Sequence, residues 1–328
     1  MKATMLSAAI ALAATGAMTG FAVSPAAAQS SREQNCDRAC LTGKLDQFLK
    51  AVIAKDPAQA GLWVGFRQTQ NAELSPPGGG IWETNTGMGS LDRRYYDPQT
   101  SQAEFFGTMR EGDKQAVVSL RMKVQYGQVT EAEWHIARDG DPGITGDKNS
   151  NSMFNVDNLI KNPPAARTVP VAQRRPREEL VAAVNSYFDG IVAGTGRWVQ
   201  ANPGCLRLEN GQGAPEWALR GVAEEDQDFQ TASDCRSGYK GLNIVNVQAR
   251  RYLMVDEEAQ VVVASATFIR EPLNHKRRNS FMEVFYMDGG KISGVYAAMV
   301  YAHPHLPMPN WAPYEGNYPI APSVINAR

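Results

Sequence analysis

The chain lacks almost every residue pattern that announces a reaction. Its 328 residues hold no nucleophile elbow, phosphate loop, dinucleotide fingerprint or zinc-protease helix. Serine hydrolases, nucleotide enzymes and metalloproteases are disfavoured accordingly, and no cofactor is expected. Histidine and cysteine number four each, and no zinc or copper motif is complete, so no metal is expected. Residues 139–175 carry Asp139, Asp141 and Asp147 but lack the glycine and closing glutamate of a calcium loop. No apolar run beyond residue 28 is long enough to span a bilayer. Neither sign of charge dominates: Lys2 is the single charged residue before Gln29, and the remainder has 34 acidic residues against 32 basic. Nothing in that balance draws the chain to nucleic acid or to an anionic membrane.

What is present begins with a leader. Lys2 precedes an apolar stretch over residues 5–23, and Ala26-Ala27-Ala28 forms a small-residue cleavage site before Gln29. Residues 1–28 therefore read as a signal peptide, and the mature protein as soluble and exported, periplasmic or secreted. Four cysteines in an exported chain suggest two disulfides, with three connectivities open. The sequential pairing is favoured: Cys36 and Cys40 are one helical turn apart, and Cys205 with Cys235 would staple a long loop.

The strongest internal signal is a repeat. Leu41, Leu45, Phe48, Leu49 and Val52 draw one apolar stripe along a helix. Leu180, Val184, Tyr187, Phe188 and Ile191 repeat it 139 residues later. After each helix comes a loop-rich stretch and then strands joined at glycine turns, near Gly127 and at Gly289-Gly290. Aligning the final hairpins gives an offset of 163, so the second copy is longer in its middle by 24 residues. The division expected is a first domain over 36–138, a linker over 139–175, a second domain over 176–302 and a proline-rich aromatic tail over 303–328. The fold class expected is α+β: two tandem cones, each a helix packed on a curved antiparallel sheet, joined as a pseudo-dimer through their sheets or associating as a homodimer.

Several segments resemble the nuclear-transport-factor-2-like (SnoaL-like) superfamily, and within it an exported two-copy family of fungi and bacteria with undefined chemistry. The resemblance is carried by Cys36-Asp37-Arg38-Ala39-Cys40-Leu41, by Gly80-Ile81-Trp82-Glu83-Thr84-Asn85-Thr86-Gly87, and by Asp97-Pro98 with Phe106-Gly107-Thr108. In the second copy it rests on residues 205–211, Cys235-Arg236 and residues 285–292. The family's Thr-Glu-Asn-Gly element reads Thr69-Gln70-Asn71-Ala72 in the first copy, without the acid, while the second keeps Glu209-Asn210-Gly211. A glutamate of the last strand is replaced by Tyr296. The resemblance implies a pocket between helix and sheet. Its known chemistries run from isomerisation and dehydration to retro-aldol cleavage, and many relatives only bind ligands, so fold alone settles nothing.

Three residues are candidates for proton transfer. Glu209, flanked by Leu206 and Leu208, reads either as a partly buried acid or as a polar turn closing a strand. Glu283 lies on a strand apolar on both faces, so it is neutral or paired with an arginine such as Arg251 or Arg270. His135 shares one face with Glu131 and Glu133, opposite Ala132, Trp134 and Ile136; that face lines a pocket, supplies metal ligands, or is simply exposed or turned to another domain. Trp82, Tyr95, Tyr187, Trp198, Arg207, Tyr239 and Tyr296 are the candidates for substrate binding. The function expected is a cofactor-independent lyase or isomerase acting on a small, ring-containing hydrophobic or aromatic molecule. A non-catalytic binding protein is the alternative.

Overall fold

The repeat exists as structure. The computed structural model describes residues 36–147, 149–213, 234–239, 244–270, 277–303 and Trp311. Helix α1 (Arg38–Ala54) and helix α4 (Arg177–Ala193) each run 17 residues. Asp37 caps α1 by accepting the Cys40 N–H, and Lys55 closes it in the left-handed region. Proline precedes α4 and Gly194 ends it, with Glu178 and Glu179 in its first turn favoured by the helix dipole. The predicted stripes are the buried faces: Leu41, Leu45, Phe48 and Val52 are 0 % exposed, as are Leu180, Val184 and Phe188.

Each helix is followed by a mixed sheet of the same design. The first holds β1 (Leu62–Gln70), β2 (Glu73–Leu74), β3 (Gly87–Asp97), β4 (Gln102–Glu111), β5 (Lys114–Gln125) and β6 (Gln128–Ala137), with a short helix α2 (Ile81–Thr84) before β3. Its strand order is β2-β1-β6-β5-β4-β3, antiparallel except for the parallel pair β1/β6. The second holds β7 (Ala201–Glu209), β8 (Ile244–Asp256), β9 (Val261–Arg270), β10 (Arg278–Asp288) and β11 (Lys291–Ala302). Its order is β7-β11-β10-β9-β8, again with one parallel pair, β7/β11. The architecture is α+β with two sheets. The final hairpins turn where the sequence places them, at Gly127 (φ 72°) and at Gly289 and Gly290 (φ 59° and 82°), a backbone region that glycine enters without a Cβ penalty.

The residues between the two halves are not a bare linker. They contain α3 (Val156–Lys161), whose Leu159 is buried, and Val169 bonds to the backbone of Glu258. Three buried apolar layers result. One lies between α1 and the first sheet, one between α4 and the second, and one between the two sheets, which meet through β5 and β6 against β10 and β11 and through β3 against β8. Both faces of each sheet are therefore covered. Each fully buried Phe or Leu in these layers contributes about 1.5–3 kcal/mol.

Cys36 is bonded to Cys40 and Cys205 to Cys235, with Cα separations of 5.2 and 5.4 Å. Two disulfides fit a secreted or extracellular protein. Among the described residues no helix is long and apolar enough to cross a membrane. The leader and all of the tail except His303 and Trp311 lie outside the described residues. Trp311 is buried against the first half, its indole N–H donating to Thr69 and its ring 4.0 Å from the Arg67 guanidinium.

Candidate functional site in the second half

Strand register makes the two halves comparable position by position. In the first, Gln70 on β1 and Leu120 on β5 both pair with Trp134 on the strand between them. In the second, Glu209 on β7 and Glu283 on β10 both pair with Ala297 on β11. Paired residues share a sheet face, and Trp134 and Ala297 belong to the layers under α1 and α4. By the 139-residue offset Phe48 corresponds to Tyr187, and Gln68 to Arg207.

In the first half these positions are closed by packing. Phe48 stacks on Trp134 and meets Trp82 edge-on, with centroids 6.0 and 5.4 Å away. Gln68 accepts both indole N–H groups, at 3.0 and 3.1 Å. Trp82 is thus a core residue of the first half rather than the wall of a binding site.

In the second half every one of these positions carries a polar or smaller side chain. Two carboxylates stand one strand to either side of Ala297, so their backbones are roughly 10 Å apart with only a methyl group between them. Glu283 is 3 % exposed, and its Oε2 has no hydrogen-bond partner among the described residues. Burial pushes its pKa well above the usual carboxylate range; the Glu209 charge adds to that and Arg207 partly offsets it. Neither Arg251 nor Arg270 pairs with it: Arg251 binds Glu133, and Arg270 reaches Asn279.

Arg207 lies 3.8 Å from the Glu209 carboxylate and donates to the Ser237 carbonyl at 3.0 Å, and its buried Nε has no hydrogen-bond acceptor among the described residues. It also bonds Tyr187, whose hydroxyl pKa is raised by burial and then by Glu283. The Tyr239 hydroxyl donates to the Cys235 carbonyl, and its ring meets Tyr187 edge-on at 5.7 Å. The Cys205–Cys235 disulfide therefore ties the segment bearing Ser237 and Tyr239 to the strand bearing Arg207. Glu209 is held from the other side: Asn210, at φ 49°, bonds Met153, Ala297 and Met299, as Asn71 at φ 52° bonds Trp134 and Ile136 in the first half. The turn reading of Glu209-Asn210-Gly211 is correct for the asparagine, while the glutamate beside it faces the cluster.

Five of the residues singled out in the sequence are thus neighbours: Glu209, Glu283, Arg207, Tyr187 and Tyr239. The others are elsewhere. Trp198 is 63 % exposed, on a short turn after α4. Tyr95 and Tyr296 lie in the layer between the sheets, where Tyr296 stacks on Tyr286. His135 is there too, its Nε2 2.9 Å from Ser280 Oγ, and burial holds its pKa down to about 4. Glu131 and Glu133, on the same face, are taken by Arg121, and among the described residues no group of three or more acids, histidines or cysteines is placed to hold a metal. Sequence reasoning missed Asn279 and Tyr301, which with Arg270 extend the cluster at the ends of β9, β10 and β11. Strand-end polar residues carry no spacing signal; only their parity with Phe268, Phe281 and Met299 assigns them a face.

Residues 173–299, from just before α4 into β11, match the model of a family described as a domain of unknown function (DUF8021). Among solved structures, a crystal structure of a protein of unknown function with a cystatin-like fold, from Methylobium petroleophilum PM1, is 14% identical. That match covers 43% of this chain and 99% of the other, with a TM-score of 0.29. No curated protein matches the chain.

Proposed function

We propose that the second half is a cofactor-independent lyase or isomerase acting on a small, ring-containing organic molecule in the periplasm, and that the first half is its packed counterpart. The observation that carries this reading is the pair of acids flanking Ala297. A carboxyl group kept protonated by burial beside a second carboxylate on an arginine provides an acid and a base in one place. The fold, a helix over a sheet repeated twice, is that of the nuclear-transport-factor-2-like superfamily in this reading, each half forming a cone. Its ligand space would lie beneath α4.

The chemistry follows from the donors. Glu209 removes a proton α to a carbonyl, and Arg207 with the Tyr187 hydroxyl holds the developing enolate oxygen. Protonated Glu283 delivers its proton to a departing hydroxyl, which leaves as water. The proton on Glu209 then passes through solvent to restore Glu283. Without a leaving group, the same acid protonates a distant carbon and shifts the double bond. Tyr187, Tyr239 and Phe285 supply an aromatic wall that suits a ring.

The test incubates the purified protein and its Glu283→Gln and Glu209→Gln variants with lignin dimers, hydroxysteroids and terpenoids, followed by mass spectrometry. A product lighter by water or formaldehyde, or an isomer of equal mass, formed by the wild type and lost in both variants is expected. Retention of a compound without conversion would replace the enzyme by a binding protein using the same residues.

A further inference from the structure

A polar recess that shares no lining residue with this cluster lies where the turn between β8 and β9 meets β3 and residues 166–168. Its volume is about 460 Å³, and four arginines line it: Arg38, Arg93, Arg94 and Arg167. Two are already neutralised. Arg38 lies 2.5 Å from Asp256 and 3.1 Å from Glu258. Arg94 makes two bonds to Asp92, at 2.9 and 3.0 Å, and a third to Asp46. Asp256 also accepts the backbone N–H groups of Tyr96, Glu258 and Ala259. The three carboxylates of the recess, Asp92, Asp256 and Glu258, are thereby committed.

The other two arginines are not matched in this way. Arg93 donates to main-chain carbonyls, Pro164 at 2.7 Å and Asp92 at 3.0 Å, and has no carboxylate partner among the described residues. Arg167 donates to the Met287 carbonyl and stands 3.6 Å from Asp288, which is 69% exposed. Its Nε is buried without an acceptor among the described residues, and so is the hydroxyl of Tyr95 in the same lining. Buried donors are almost always satisfied, so a recess with surplus donors and spent acceptors is complementary to a ligand that only accepts.

We propose that this recess binds the oxyanion group of a small soluble molecule, a phosphate, sulfate or carboxylate, between Arg93 of the first sheet and Arg167 of the connecting segment. Guanidinium forks match such groups in geometry as well as charge. The site is separate from the carboxylate pair around Ala297, and it stands or falls independently of the lyase reading. An anion held here also fastens both halves to the segment between them, since Arg93 grips Pro164 and Arg167 grips β10.

Thermal unfolding of the full protein in sodium phosphate, phenyl phosphate or sodium benzoate, against sodium chloride at equal ionic strength, tests this. A saturating rise in Tm with at least one oxyanion is expected, with apparent affinity falling at least tenfold in Arg167→Gln and Arg93→Gln and unchanged in the surface control Lys114→Gln. Phenyl phosphate or benzoate outperforming phosphate identifies an organic ligand, and the reverse order identifies the free anion. A wild type that responds to none of them beyond chloride overturns the proposal. So does a rise that survives in both arginine variants. Arg167→Lys, which keeps the charge and loses the fork, carries the comparison if either glutamine variant fails to fold.

Discussion

Glu283 stands where the first half has Leu120: each pairs with the strand beside it, Glu283 with Ala297 and Leu120 with Trp134. One position is filled by a hydrocarbon under an indole; its counterpart is a buried carboxyl with an oxygen that bonds nothing described. Stability and activity should therefore part company at residue 283. Glu283→Leu is expected to raise the free energy of unfolding at pH 7 by about 1–3 kcal/mol, the cost of a buried unsatisfied polar group, while the proposed turnover disappears. Urea unfolding with an unchanged slope checks the first half of this prediction, and a destabilised variant contradicts it.

A second buried acid should add to the pH dependence of stability. Glu104 is 0 % exposed; burial raises its pKa to about 8, with the Ser119 hydrogen bond and then Arg121 only partly offsetting the rise. The folded chain therefore holds a proton that the unfolded chain has released at neutral pH. The stabilisation from that proton is fully present below the ordinary carboxyl value of about 4.3 and is lost as pH rises through about 8. Denaturant unfolding at pH 5 and pH 8.5 should show a decline, on the order of a few kcal/mol, that Glu104→Gln reduces, the remainder belonging to Glu283. Equal slopes in the two proteins would refute it.

Glu133 works in the opposite sense. It is buried between the sheets, and although burial alone would raise its pKa, Arg251 and then Arg121 hold it down to about 2. Its contribution is present above the ordinary carboxyl range and fades as pH falls toward 2. Glu133→Gln leaves two buried guanidiniums without their shared carboxylate, and a loss of about 3–5 kcal/mol is expected. Calorimetric unfolding of the variant at pH 7 measures it.

The disulfide between Cys205 and Cys235 closes a loop of sequence separation 30. Loop entropy alone gives it about 3–4 kcal/mol. Its position adds more, because Tyr239 and Ser237 meet Arg207 through the segment it anchors. In the activity proposed above, the double variant Cys205→Ser/Cys235→Ser is expected to lose more than tenfold in kcat/KM at a temperature where circular dichroism still reports a folded chain. Full activity in that folded variant would confine the bond to a stabilising role.

Much of this was legible in the residues, and the exceptions have a common cause. The stripe from Leu41 to Val52 and its copy from Leu180 fixed both helices, because a helix touches the core on one side only. The strands touch it on two. In β6 the apolar set Ala132, Trp134 and Ile136 packs under α1, and the polar set Glu131, Glu133 and His135 is covered as well, by the other sheet. Alternation tells the two sets apart without saying what lies over either. That is why Tyr95, Tyr296 and His135, all plausible beside a substrate, lie between the sheets instead. The missing last-strand glutamate misleads in the same way: Tyr296 faces the other sheet, and the buried acid beneath α4 comes from the neighbouring strand, at Glu283.

The parallel closing strand has a consequence for the order of assembly. Glu209 is reached early and Glu283 late as the chain emerges, yet β7 has no neighbour on the β10 side until β11 slides between them. The strand carrying only Ala297 at the decisive position is the keystone. A chain ending before Lys291 would own both acids and bring them nowhere near each other. Long-range pairing of this kind also delays folding, because the sheet cannot close until its last strand is in place.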